Sequence, residues 1–162
     1  MQRNIRRPAY GFTLIELMVV VVVASILVAI AVPMYTAQIQ QSRRTDARTA
    51  LLDLAGREER YLTTNPTGYT TSPASLGYTA FPATVGQGYY TVTVGCIALS
   101  GAALGCDGNA NPPTGPSFYL TATPLGTQLK DTNCASFAVD STGAQFAFNS
   151  AGAANTAYCW SN

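Results

Sequence analysis

The sequence predicts an α+β fold. One long N-terminal helix, half membrane-spanning and half packed on a head, lies against a three- to four-stranded antiparallel sheet. Three observations predict it. Residues Phe12 to Val32 form an apolar run interrupted only by Thr13, Glu16 and Ser25. Beyond Pro33, apolar residues recur at three- and four-residue steps as far as Leu62. Farther on, Tyr, Thr and Val alternate in short runs separated by Gly- and Pro-rich segments.

Each element follows from local chemistry. Residues 1–11, MQRNIRRPAYG, are polar and basic through Arg3, Arg6 and Arg7, and Pro8 disfavours continuous helix there. The run from Phe12 to Val32 makes a helix of about 31 Å at about 1.5 Å per residue, matching a bilayer core. Basic residues ahead of it place the N-terminus in the cytoplasm, a bias weakened by Arg43, Arg44 and Arg48 on the far side. A cleaved secretory signal is the competing reading, since Ala29-Ile30-Ala31 resembles a small-x-small cleavage site. Against it, the apolar run is longer than usual for such a signal and holds an acid near its start.

Pro33 kinks or loosens the helix. Ile39, Ala47, Ala50, Leu51, Leu54, Ala55, Tyr61 and Leu62 then form one apolar stripe, opposite Gln40, Arg44, Arg48, Asp53 and Arg57. Asn65-Pro66-Thr67-Gly68 ends the helix with turn chemistry. Residues 66–88 read as a long loop. Strands are expected at Tyr89–Val94 and Phe118–Thr123. Two more, Phe137–Asp140 and Gln145–Phe148, flank a Ser141-Thr142-Gly143 hairpin. Between the first two strands lies an irregular Gly-rich segment ending GNANPPTGP.

The chain has 162 residues, enough for one modest domain plus an anchor. Its net charge is +1. Beyond residue 55, Arg57, Arg60 and Lys130 stand against Glu58, Glu59, Asp107, Asp131 and Asp140. That balance does not support DNA as a partner. Arg43, Arg44 and Arg48, interleaved with Asp46 and Asp53, read as a solvated helix face. Strand tyrosines read as sheet-packing residues rather than stacking platforms. Histidine is absent, which removes the usual general base and any Ser-His-Asp or Cys-His arrangement. Glu58 and Glu59 point to different parts of a helix surface. No phosphate loop or dinucleotide fingerprint is present. No enzyme, catalytic residue or cofactor is therefore expected.

The four cysteines are Cys96, Cys106, Cys134 and Cys159, none in a C-x-x-C pair. A metal site would need widely scattered thiolates, so no metal is expected. Disulfides in an oxidising compartment are the better reading. Three pairings are possible. Nearest-in-sequence pairing, Cys96–Cys106 and Cys134–Cys159, would close short loops and contribute roughly 2.8 and 3.5 kcal/mol.

Glu16 is the sharpest chemical feature. A carboxylate at a helix centre in lipid costs about 2.5–3.5 kcal/mol. Glu16 lies only about 6 Å from the start of the span, where interfacial water eases that cost. One reading is an acid tolerated because the helix dipole favours it. The other is half of an ion pair awaiting its cation. No basic residue occurs from Pro8 to Ser42. The cation would have to come from a lipid, a partner protein, or a new N-terminus made by cutting the chain.

Gly11 followed by FTLIELM, an apolar helix and Pro33 resembles the class III signal of type IV prepilins, in the short-leader type IVa form. The resemblance spans residues 1–33. Farther along, ARTALLDLAGREERYLTTNPTGYT, GYYTVTV, YLTATPLGTQLKD, CASFAVDSTGAQ and the terminal YCW are similar to PilE-type minor pilins. The resemblance implies the type IV pilin fold and cleavage between Gly11 and Phe12 by a prepilin peptidase. It also implies N-methylation of Phe12, a helix kink at Pro33, and Glu16 as the charge that meets the methylated amine of a neighbouring subunit. Ser25 stands where such proteins usually have a helix-loosening Gly. The last two cysteines bracket a C-terminal loop in pilins of this kind, which supports a Cys134–Cys159 disulfide. CIALSGAALGC looks like an insertion, and its Cys96–Cys106 pairing is inferred from proximity.

On this basis the chain divides into a basic leader (1–11), a transmembrane and polymerisation helix (12–33), an amphipathic helix packed on the head (34–64) and a β-rich head (65–162). The implied function is that of a type IV pilus subunit, a minor pilin, serving assembly and through it adhesion, twitching motility or DNA uptake. The alternatives are a major pilin, a type II secretion pseudopilin, or a filament-displayed adhesin or DNA-binding head. Implied partners are other pilin subunits, the prepilin peptidase, the inner-membrane assembly platform, and the membrane before assembly. The precursor is expected to be single-pass in the inner membrane with its N-terminus cytoplasmic, and the mature subunit in a cell-surface pilus.

Overall fold

A helical period followed by an alternating one sets the architecture. The computed structural model describes residues 12–66, 68–95 and 117–161; Gly11, Cys96 and Cys106 lie outside them. Helix α1 runs over Leu14–Thr64. The chain separates into two units, Met1–Gln38 and Ile39–Asn162.

In the first unit every described residue is solvent exposed. Pro33 lies inside α1, where its missing N–H removes one backbone hydrogen bond. Thr36 Oγ1 donates to the Pro33 carbonyl at 2.9 Å. Ser25 Oγ donates to the Val21 carbonyl at 2.7 Å, so its hydroxyl is satisfied within its own helix.

In the second unit, Ala47, Leu51 and Leu54 are fully buried, at steps of four and three residues. They place one stripe of α1 in a core with Tyr90, Val92, Leu120, Ala122 and Phe137. Burying a leucine side chain contributes about 1.5–3 kcal/mol, so this stripe fixes which way the helix faces. Arg44 and Glu58 share the stripe and are also buried. Arg44 was expected on the solvent face. It is enclosed because a carboxylate distant in sequence meets it there. At the helix end, the Asn65 N–H bonds the Tyr61 carbonyl at 2.9 Å, and Pro66 offers no donor to continue.

The sheet has five antiparallel strands in the order β1-β2-β3-β4-β5: Ala83–Val85, Tyr90–Gly95, Tyr119–Pro124, Ser136–Asp140 and Gln145–Phe148. This exceeds the three or four expected. The added strand, β1, has only three residues, too few for alternation to register in a Pro- and Gly-rich stretch. Register places Val92, Ala122, Phe137 and Ala147 in one buried row across β2 to β5. The adjacent row on the other face includes Thr91 and Thr123, whose hydroxyls lie 2.9 Å apart. The β4–β5 turn is held by Asp140 Oδ1, which accepts from the backbone N–H of Thr142 at 2.9 Å and of Ala144 at 3.0 Å. Gly143 there has φ +78°, a left-handed conformation that glycine adopts at little cost.

The C-terminal tail is pinned at several points. Cys134 and Cys159 form a disulfide with their Cα atoms 5.7 Å apart. It anchors the short helix α2, Thr156–Ser161. Trp160 Nε1 donates to the Phe146 carbonyl at 2.9 Å, and Arg48 Nη1 donates to the Trp160 carbonyl at 2.8 Å.

The Arg44–Asp131 pair joins helix to tail. Arg44 Nε and Nη2 lie 2.7 and 2.9 Å from the two oxygens of Asp131. Asp131 Oδ1 also accepts from the Cys134 N–H at 3.3 Å. Gln128 Nε2 contacts Asp131 Oδ2 at 3.2 Å and Tyr90 Oη at 3.1 Å. Asp131→Ala should cost about 3–5 kcal/mol, because it leaves a buried guanidinium unpaired. Chemical denaturation of the oxidised full-length chain in detergent micelles measures this. The double variant Arg44→Met/Asp131→Leu should recover most of the loss.

Candidate functional site

The first candidate site is the start of α1. Thr13 Oγ1 accepts the Glu16 N–H at 3.3 Å, and Glu16 Oε2 accepts the Thr13 N–H at 3.5 Å. This reciprocal pair is a capping box, which satisfies two of the donors left open at a helix N-terminus. Its signal, T-x-x-E, stands in the sequence at Thr13 to Glu16 but was not read from it. Both Thr13 bonds fall on Oε2, so Oε1 has no bond among the described residues. No cation meets Glu16 among them. Around it, Leu14, Ile15, Leu17, Met18 and Val19 are all exposed. The segment is long and apolar enough to cross a membrane, and none of it is buried within the chain. Such a surface demands either lipid or other helices.

The second candidate is a groove on the head. Arg57, Arg60, Tyr61 and Thr64 of α1 face Ala74, Ser75, Leu76 and Gly77 across a space of about 420 Å³. Arg57 Nε donates to Asp53 at 2.8 Å and Nη1 to the Leu76 carbonyl at 2.9 Å. Gly77 makes this approach possible. It has φ +78°, and a Cβ there would lie 2.6 Å from Arg57 Nη1. Arg60 is exposed, and its Nε donates to the Gly56 carbonyl at 3.2 Å. The outer nitrogens of Arg60 and the hydroxyls of Tyr61 and Ser75 give the groove the chemistry to hold an anion such as a phosphate. The three-residue spacing of Arg57 and Arg60 on a helix was the available sequence signal. The partnering turn at residues 74–77 was not legible.

Arg43, Arg44 and Arg48 have structural duties. Arg44 is paired with Asp131, and Arg48 is tied to the Trp160 carbonyl. Arg43 lies 3.5 Å from the centroid of the Tyr89 ring and donates to Thr127 at 2.9 Å. Among the described residues no group of His, Cys, Asp or Glu is placed to hold a metal ion.

Comparison with protein families separates the chain near Pro33. Residues 6–32 match a model described as the prokaryotic N-terminal methylation motif. Residues 33–138 match a model described as type IV minor pilin ComP, DNA uptake sequence receptor. The chain belongs to the ComP family of type IV minor pilins. No curated protein matches it significantly. As a minor prepilin of this family it has the α+β pilin fold and assembles with other pilins. Its N-terminal helix anchors the precursor in the membrane before the pilin joins a pilus at the cell surface.

Gly77→Ala should displace Arg57 and lower stability by about 1–2 kcal/mol from the left-handed backbone alone, with the clash adding to it. Adding Arg57→Ala should relieve the clash and leave the backbone cost. Thermal unfolding of the single and double variants separates the two contributions.

Proposed function

We propose that this minor pilin takes part in DNA uptake and that the Arg57–Arg60 groove receives DNA phosphates. The observation that carries the reading is the match of residues 33–138, which include every residue of the groove, to a family described as a DNA uptake sequence receptor. The small net charge counted against DNA, but net charge does not locate cations. Arg57 and Arg60 sit together beside hydroxyl groups, and the outer nitrogens of Arg60 have no partner among the described residues. Phosphate contacts of this kind supply affinity and salt dependence rather than sequence readout. Arg60→Gln should weaken binding to duplexes of different sequence alike and reduce the log–log salt slope by about 1. Titration of full-length protein with labelled duplex at several salt concentrations tests this. An unchanged affinity and slope would remove the groove from the DNA-binding surface.

The route to the filament forms part of the same proposal. A prepilin peptidase cuts between Gly11 and Phe12, separating a leader at 1–11 from the polymerising helix at 12–33. The amphipathic segment 34–64 and the head 65–162 follow, and the assembly platform receives the processed subunit. The new amine of Phe12 has an ordinary pKa near 8, so it is cationic at neutral pH, and N-methylation keeps it so. It supplies the cation that residues 8–42 lack, and Glu16 of a neighbouring subunit receives it. Pro33 is the point where α1 loosens, and the protein has no enzymatic role. Glu16→Gln retains a residue suited to the capping box but removes the charge. It should be processed normally yet reach sheared pili at roughly a tenth of the wild-type level, by a charge-pair loss of about 1.4 kcal/mol. Immunoblots of membrane and pilus fractions measure this, and normal incorporation would refute the charge role.

A further inference from the structure

Glu58 is fully buried, and it has no counter-ion among the described residues. Its Oε2 accepts the Thr70 N–H at 3.1 Å, while Oε1 is enclosed with no hydrogen-bond partner. The next residue, Glu59, is exposed and accepts the Tyr69 hydroxyl at 2.9 Å. Tyr69 in turn packs edge-on against Phe118, their ring centroids 4.7 Å apart. Two successive acids of α1 therefore grip two successive residues of the loop that follows it. The same loop continues to Leu76, whose carbonyl takes Arg57.

We infer that residues 69–77 are held on α1 by a proton-dependent latch at Glu58, closed when this carboxyl is protonated and loosened when it is ionised. Because Oε2 accepts from Thr70, the proton belongs on the unpartnered Oε1. A neutral hydroxyl enclosed there costs far less than an unpaired carboxylate. Apart from the Thr70 N–H, the groups around it do not stabilise the charge. On α1, Glu59 is a like charge, Arg57 is paired with Asp53, and Arg60 bonds the Gly56 carbonyl. From the loop comes Tyr69, whose hydroxyl is committed to Glu59, and from the strand side the uncharged Phe118.

Burial raises the Glu58 carboxyl from 4.5 to about 7, with Glu59 adding to the rise and the Thr70 N–H opposing it. In an opened loop the hydrated carboxyl returns to its ordinary value. The closed form thus binds the proton more tightly than the open form. Closure is fully favoured below about pH 4.5 and is lost progressively as pH rises to about 7. The opening constant climbs by at most about tenfold per pH unit across that window, on the order of 100-fold in all. Since Ser75, Leu76 and Gly77 wall the arginine groove, the latch would also tune that groove; this consequence, unlike the latch, rests on the DNA reading.

Amide hydrogen exchange of the full-length chain in detergent micelles, normalised to intrinsic exchange rates, tests the latch between pH 5 and 8. Protection at Thr70 should fall on the order of 100-fold in the wild type and change less than about threefold in Glu58→Gln. Glu59→Gln should keep the dependence, with its midpoint moved to lower pH. A flat wild-type profile would overturn the latch, as would loss of the dependence in Glu59→Gln. The readout is loop protection, so it stands or falls separately from DNA affinity.

Discussion

The head is organised around one buried carboxylate. Asp131 neutralises Arg44, caps the Cys134 N–H and receives Gln128, which reaches on to Tyr90. Helix α1 and strand β2, both distant in sequence, are thereby referred to one side chain and its near neighbours. A buried pair of this kind adds little net stability, because desolvation offsets most of the attraction. Its effect is on uniqueness. Turning α1 by one residue would rotate its face by about 100°, removing Arg44 from Asp131 and Leu51 from the core together. The ion pair and the apolar stripe therefore select the same rotation. The disulfide then closes the tail beside the point that Asp131 already holds.

The N-terminal segment meets the opposite constraint. Its residues have no core of their own, and the first unit leaves them all exposed. Lipid can satisfy that surface before assembly and neighbouring pilins afterwards, so the same side chains serve in two surroundings. Ser25 fits both, since its hydroxyl is already bonded to the Val21 carbonyl and carries no unmet polar demand into either. The capping box changes the reading of Glu16. Its role in starting the helix accounts for the acid through Oε2, while its charge and Oε1 remain available to a partner.

Much of the fold was legible because it rests on periods. The residues Gln145–Phe148 were read as a strand and form β5 with the same bounds. The other expected strands differ from the observed ones by a residue or so at their ends, where pairing rather than composition decides. Arg44 was misplaced for a physical reason: periodicity sorts apolar from polar, and a buried arginine looks polar until its partner is known. That partner lies 87 residues away in sequence. The groove failed for the same reason. Arg57 and Arg60 belong to a readable helix, but the opposing wall at residues 74–77 comes from a loop whose path depends on the bonds made by Glu58 and Glu59. Glu58 was visible as an acid and unreadable as a buried one.

These cases bear on how charge should be counted in a small head. Composition treats every arginine as equally available to a partner. Here Arg44 is cancelled, Arg48 is committed to a backbone carbonyl, and Arg43 is spread over an aromatic ring and a hydroxyl. Arg57 is held in place by Asp53 and Leu76, which spares it part of the conformational entropy that binding would otherwise cost. Arg60, beside it, retains donors with no partner among the described residues. An anion approaching the groove thus meets one oriented guanidinium and one adaptable guanidinium, although the chain as a whole is nearly neutral. The electrostatic partner of such a surface is set by which cations the fold leaves free, and that is decided by the acids and carbonyls that tie down the rest.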